Sequence, residues 1–188
     1  MIDLNVSVPG GSYPVMIEAG LFPQIGERLK DIHGGRHGLV VFDDKVRPLH
    51  GQSLMEGFSS EWNMQAVDLE ASEASKRLET VGGLLDDCLV AGLDRGGLIA
   101  AVGGGITGDV AGFVAASYMR GISLVQIPTT LLAMVDASVG GKTGVNLPLP
   151  DGGGIGKNLA GAFWQPEAVL MDPLVLKTLD QRELRCGL

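Results

Sequence analysis

With 188 residues, the chain is long enough for one domain that buries roughly 70% of the surface its unfolded form exposes, so it needs no disulfide or metal staple to fold. A net charge of −8 and a pI near 4.8 oppose a nucleic-acid surface, because phosphate backbones are held by clustered Lys and Arg. Any anionic ligand must be met by a few local cations. Cys88 and Cys186 have no paired metal spacing, and the opening MIDLNV lacks the basic and apolar regions of a signal peptide, so a cytoplasmic protein is expected.

Along the chain, LNVSV and YPVMIEA flank a Pro-Gly-Gly turn at 9–11 and predict a hairpin with alternating faces. Apolar runs at 39–42 (LVVF), 64–69 (MQAVDL), 98–102 (LIAAV) and 123–127 (SLVQI) predict strands, and amphipathic stretches near 21–32, 45–58, 74–91 and 109–119 predict helices between them. The alternation implies an α/β fold: a parallel sheet wrapped by helices, with functional loops at the carboxyl ends of its strands. Glycine, 29 of 188 residues, clusters at those ends. The segment Leu98 to Ala116 carries one charge, Asp109, but five glycines break it into strand, loop and helix, which excludes a membrane span. LPLPDGGGIG at 147–156 is expected to be a mobile loop.

The chemistry concentrates in residues 102–146, VGGGITGDVAGFVAASYMRGISLVQIPTTLLAMVDASVGGKTGVN. Gly103, Gly105 and Gly108 satisfy G-x-G-x-x-G between a strand and a helix, so first-turn amides could face a pyrophosphate. The pattern falls on a late strand with no acidic residue about 20 positions on, unlike a dehydrogenase fingerprint, and also suits glycines that only permit tight packing. Asp109 suits a first-turn acid as well as a ligand contact. Gly141-Lys142-Thr143 and Gly156-Lys157 are not P-loops, because Asp136 and Asp151 stand where the first glycine belongs. Lys142 and Lys157 remain as point charges on glycine loops, and Asp136, in the apolar run MVDASV, requires a partner such as Lys142. His33 and His37 are separated by Gly34 and Gly35, which argues against a helical metal pair; Trp62 and Trp164 are expected to pack rather than stack on bases.

Taken together, GGGITGD, GFVAASYMRG, VQIPTTLLAMVDASVGGKTGVN, GKNLAGAFWQP and LKTLDQRELRCGL closely resemble the 3-dehydroquinate synthase family, from the first hairpin to the last residue and most densely over 98–188. The likeness covers about the first half of that family's chain, its Rossmann-like NAD-binding domain. It implies that Asp43 and Lys45 hold the adenosine ribose region of NAD, with Glu73 and Lys76 nearby. Gly104, Gly105 and Asp109, with Gly108 of the same motif, would cradle the pyrophosphate and the adjoining ribose. Thr129, Thr130, Asp136, Lys142 and Lys157 would continue along the cofactor, and Thr178, Leu179 and Glu183 would close over its adenine end. Asp136, Lys142 and Asn158 would also face substrate. Arg120 in YMRG resembles the family's phosphate ligand, supplied across a homodimer.

The implied reaction, in the shikimate pathway of aromatic amino-acid biosynthesis, converts 3-deoxy-arabino-heptulosonate 7-phosphate to 3-dehydroquinate and phosphate, using NAD transiently and a divalent metal, zinc or cobalt. The chain departs from the family in two places. It stops at Arg185-Cys186-Gly187-Leu188, two positions short of the expected metal-binding Glu, and the two later His and the helical C-terminal domain are absent. About six residues, Pro150 to Ile155, are inserted before GKN. The 188 residues alone are therefore expected to be inactive. Another sugar-phosphate cyclase, a metal-dependent glycerol dehydrogenase and a non-catalytic NAD-binding module remain alternatives.

Overall fold

The computed structural model describes residues 1–188, apart from the side chain of Asp151. Strands β1 (Ile2–Val8) and β2 (Gly11–Ile17) form the expected hairpin. After a 3-10 turn at Phe22–Gln24, opened by Pro23, come α1 (Ile25–Lys30) and β3 (His37–Asp43). A π-turn at Arg47–Gly51 leads into α2 (Gln52–Gly57) and β4 (Asn63–Leu69). Next follow α3 (Leu78–Val90), β5 (Leu98–Gly103), α4 (Gly105–Ser117) and β6 (Ser123–Pro128). The remainder holds β7 (Lys142–Pro148), β8 (Ile155–Phe163), β9 (Ala168–Met171) and α5 (Gln181–Cys186).

Seven strands form one sheet in the order β1-β2-β9-β6-β5-β3-β4, parallel except for the β1–β2 hairpin. Strand β5 lies centrally and all six of its residues are buried, as a parallel strand covered on both faces requires. Its side chains alternate between two cores: Leu98, Ala100 and Val102 pack with Phe42, Leu21 and Ile25, whereas Ile99 and Ala101 pack with Val110, Val114 and Leu84. The first core lies under α1 and α2, the second under α3 and α4. No helix among the described residues is long and apolar enough to cross a membrane.

Three expectations are corrected. Helix α4 begins at Gly105 rather than 109, its N-cap Gly104 being extended, so Asp109 stands in the second turn and is not a first-turn acid. The segments around Lys142 and Lys157 are not loops: β7 and β8 pair as an antiparallel hairpin, leaving only residues 149–154 of the expected mobile loop outside strands. Short β9, unpredicted, fills the sheet between β2 and β6.

Candidate functional site

The chain leaves β3 toward β4 on one side and, from β5, proceeds to β6 on the other, so strand order reverses between β3 and β5. Such a reversal opens a crevice at the carboxyl ends of the strands, here between Asp43 and Gly103. Both ends approach closely: a Cβ on Gly103 would meet the Asp43 Cβ at 2.9 Å and the Thr107 Oγ1 at 2.5 Å. The buried Asp43 carboxylate accepts from the Lys45 amide at 2.9 Å. Burial lifts its pKa above the usual carboxylate range, against the pull of that amide. Lys45 itself is exposed.

Gly104 carries no side-chain cap, so first-turn amides of the 13-residue α4 are available to an anion, where the helix dipole favours one. A Cβ at Gly104 would press the Thr130 Cγ2 at 3.2 Å, and one at Gly105 the Ala137 Cβ at 3.3 Å. Gly108 instead gives room to Gln126, 2.8 Å from where its Cβ would stand, and so serves helix-to-strand packing rather than ligand approach. The Thr129 amide donates to the Gly103 carbonyl at 2.9 Å, while the buried Oγ1 atoms of Thr107 and Thr129 have no protein partner. Free amides, bare glycines and two orphaned hydroxyls fit the pyrophosphate of a dinucleotide.

Beside this loop lies a cleft of about 490 Å3, lined among others by Asp109, Asp136, Lys142, Asn158, Leu159 and Phe163. Asp136 is exposed at the end of the π-turn Ala133–Ala137, and no ion pair joins it to Lys142 among the described residues. The expected Asp136–Lys142 partnership is thereby corrected: both residues line the cleft without pairing, and the exposed turn leaves the carboxylate open rather than buried in need of a partner. Lys76, 6% exposed, is the buried cation instead; its Nζ donates to Asp109 and to the Asn158 Oδ1. Burial raises the Asp109 pKa and the Lys76 ammonium opposes that rise.

Asn146, which no sequence motif singled out, ties this cluster together. Its Nδ2 donates to the Glu73 Oε1 at 2.8 Å and its Oδ1 accepts from the Asn158 amide at 2.9 Å. The Asn146 bond, chiefly, holds Glu73 below the usual carboxylate range, aided by Lys157, whose Nζ lies 3.4 Å from Glu73 Oε1.

Farther along, the Thr178 hydroxyl donates to the Val175 carbonyl, so His50 Nε2 must donate to Thr178 Oγ1 at 2.6 Å. Leu179 follows, Glu183 is exposed in the first turn of α5, and Gly187 abuts Leu131 and Leu132 beside Thr130. Arg120 does not line the cleft; it lies beyond the C-terminal end of α4, about 20 Å of helix from Gly105. His33 binds Glu167 and the Gly96 carbonyl, whereas His37 binds Asp94, so the two never converge. Among the described residues no group of three His, Cys, Asp or Glu could hold a metal. Trp62 and Trp164 pack, against Phe58 and over Gly121 respectively.

The N-terminal family of 3-dehydroquinate synthases matches residues 66–186. A 3-dehydroquinate synthase of Pelotomaculum thermopropionicum is 46% identical over 189 residues, covering 100% of the chain and 49% of that protein. Among solved structures, 2-deoxy-scyllo-inosose synthase complexed with carbaglucose-6-phosphate, NAD+ and Co2+ superimposes with a TM-score of 0.88 at 27% identity, over 99% of the chain and 50% of its own. The 2-epi-5-epi-valiolone synthase ValA from Streptomyces hygroscopicus subsp. jinggangensis, with NAD+ and Zn2+ bound, gives 0.82 at 33% identity, over 97% and 49%. The chain thus spans about half the length of the relatives it matches. With the sheet reversal, the glycine loop and the cleft beside it, these matches establish that the chain belongs to the 3-dehydroquinate synthase family.

Proposed function

We propose that the chain is the NAD-binding part of an enzyme that converts 3-deoxy-arabino-heptulosonate 7-phosphate to 3-dehydroquinate and phosphate. The observation that carries this reading is the uncapped glycine loop at the β3–β5 reversal, with the orphaned Thr107 and Thr129 hydroxyls around it and the cleft alongside. NAD, when bound, would supply a hydride acceptor that oxidises a secondary alcohol of the substrate and later returns the hydride.

The residues of the chain bind and orient. Gly104 and Gly105 open the α4 amides to the pyrophosphate, Asp43 and Lys45 take the adenosine ribose, and Thr178, Leu179 and Glu183 close the adenine end. Thr129 and Thr130 extend the contact, while Glu73, Lys76, Asp109 and Lys157 form the polar wall beside it. On the cleft, Lys142 offers a point charge to an anionic sugar acid, Asp136 an acceptor for a hydroxyl, and Asn158 an amide for either. Leu159 and Phe163 add exposed apolar surface to the cleft wall. The described residues do not fit the divalent metal found in the two cyclase structures, because no three His, Cys, Asp or Glu side chains among them converge. Arg120 is assigned to the phosphate site of a neighbouring subunit in a cytoplasmic homodimer. Light scattering that finds a strict monomer would leave it a surface cation.

The test is phosphate release. The 188-residue chain with NAD and zinc is expected to release none from the heptulosonate above background, because loss of a metal's polarising effect costs several kcal/mol of barrier and hence orders of magnitude in rate. Adding the C-terminal half of a family member in trans is expected to restore turnover. Chelator-sensitive release by the chain alone, or no turnover from the combined halves despite NAD binding, contradicts the proposal; the second result favours a non-catalytic binding module.

A further inference from the structure

Asn158 has a φ of 55°, a left-handed backbone that is uncommon outside glycine and that asparagine tolerates better than other residues. The ladder between β7 and β8 explains how it arises. Val145 pairs with Ala160 and Leu147 with Gly156, so the single residue Asn146 stands opposite three, Lys157, Asn158 and Leu159. Strand β8 therefore bulges away from β7 at this point, and bulges serve to re-aim side chains. The pairs Leu147–Gly156 and Pro148–Ile155 close the hairpin on the far side, so residues 157–159 make no ladder pairs and the ladder itself does not fix the bulge.

Two buried side chains hold it. Asn146, 4% exposed, accepts the Asn158 amide on its Oδ1 while its own amide donates to the Lys76 carbonyl at 2.8 Å and its Nδ2 to Glu73. Lys76 donates to the Asn158 Oδ1 and is itself anchored on Asp109 of α4. One buried residue thus reads both the bulge and the Glu73–Lys76 turn, with both ends of its side-chain amide and its backbone N–H satisfied.

We infer that Asn146 is a positioning residue: together with Lys76 it clamps the β8 bulge so that Asn158 is presented on the cleft wall in its left-handed conformation. The functional consequence rests on the substrate-facing role proposed for Asn158; the clamp itself does not.

Amide exchange and the HN–Hα coupling of Asn158, measured by NMR on the 15N-labelled chain, test it. In Asn146→Ala, Asn158 is expected to lose at least tenfold in exchange protection together with its left-handed coupling, while β5 amides stay protected. Asn146→Asp keeps the acceptor and loses the donor, so Asn158 stays protected while the Glu73 carboxyl titrates higher than in the wild type. In Asn146→Ala with Asn158→Gly, the left-handed backbone is expected to return. Unchanged protection of Asn158 in a folded Asn146→Ala chain overturns the inference. So does loss of protection in Asn146→Asp, which carries the test alone if the alanine variant does not fold. Failure of NAD to bind the wild-type chain would defeat the functional reading and leave these exchange results to decide the clamp.

Discussion

At Gly121 the backbone takes a φ of 121°, following Met119 at 50° and Arg120 at 70°. An added Cβ there would meet the Trp164 ring at 2.2 Å, so both backbone strain and overpacking oppose any side chain. Gly121→Ala is expected to cost about 2–5 kcal/mol, lowering the melting temperature by roughly 5–15 °C. Gly82→Ala, in the exposed face of α3 with nothing within 4 Å of the new methyl, should instead stabilise by about 0.5–1 kcal/mol. Calorimetric melting of the two variants checks both signs. At this scale the sequence exposed the glycine triplet and the paired threonines, because their chemistry is local. It misplaced the environment of Asp136, since an apolar run does not reveal which way a π-turn faces. It was silent on Asn146, whose partners assemble only when a strand bulges opposite it.

Elements with strong periodicity were legible: the first hairpin and the β3, β4, β5 and β6 strands fall where alternation or short apolar runs put them. The β7–β8 hairpin was not, because Gly144, Gly156 and Gly161 dilute its pattern. Those same glycines allow its close pairing; a Cβ on Gly161 would stand 2.0 Å from the Thr143 carbonyl oxygen. At the opposite end of the sheet, Glu167 joins elements far apart in sequence, accepting from His33 at 2.9 Å and from Ser123 at 2.6 Å. Burial raises its pKa, but the bonds from His33 and Ser123 outweigh that and hold it below the ordinary carboxylate value. A depressed carboxylate contributes stability above its unfolded pKa and loses it as pH falls through the folded one. Glu167→Gln should therefore be less stable than the parent near neutral pH, and the gap should shrink as acid titrates the carboxylate. Urea unfolding at a series of pH values below 5 measures it; a gap independent of pH would remove the link from the account.

For the molecule as a whole, strand order decides where chemistry can occur. The reversal between β3 and β5 brings Asp43, the glycine loop and the Thr129–Thr130 turn to one edge, although 86 residues separate Asp43 from Thr129 in the sequence. That reversal was legible only as a fold class, because alternating strands and helices do not state which strand lies beside which. If this edge holds NAD, calorimetric titration of the 188-residue chain will show it. Saturable NAD binding is expected, weakened about tenfold in Gly104→Val, a loss of about 1.4 kcal/mol, because a branched side chain pressed toward Thr130 would block the pyrophosphate. A folded wild-type chain that takes up no NAD at millimolar concentration, or a Gly104→Val variant that binds it equally well, would contradict the account.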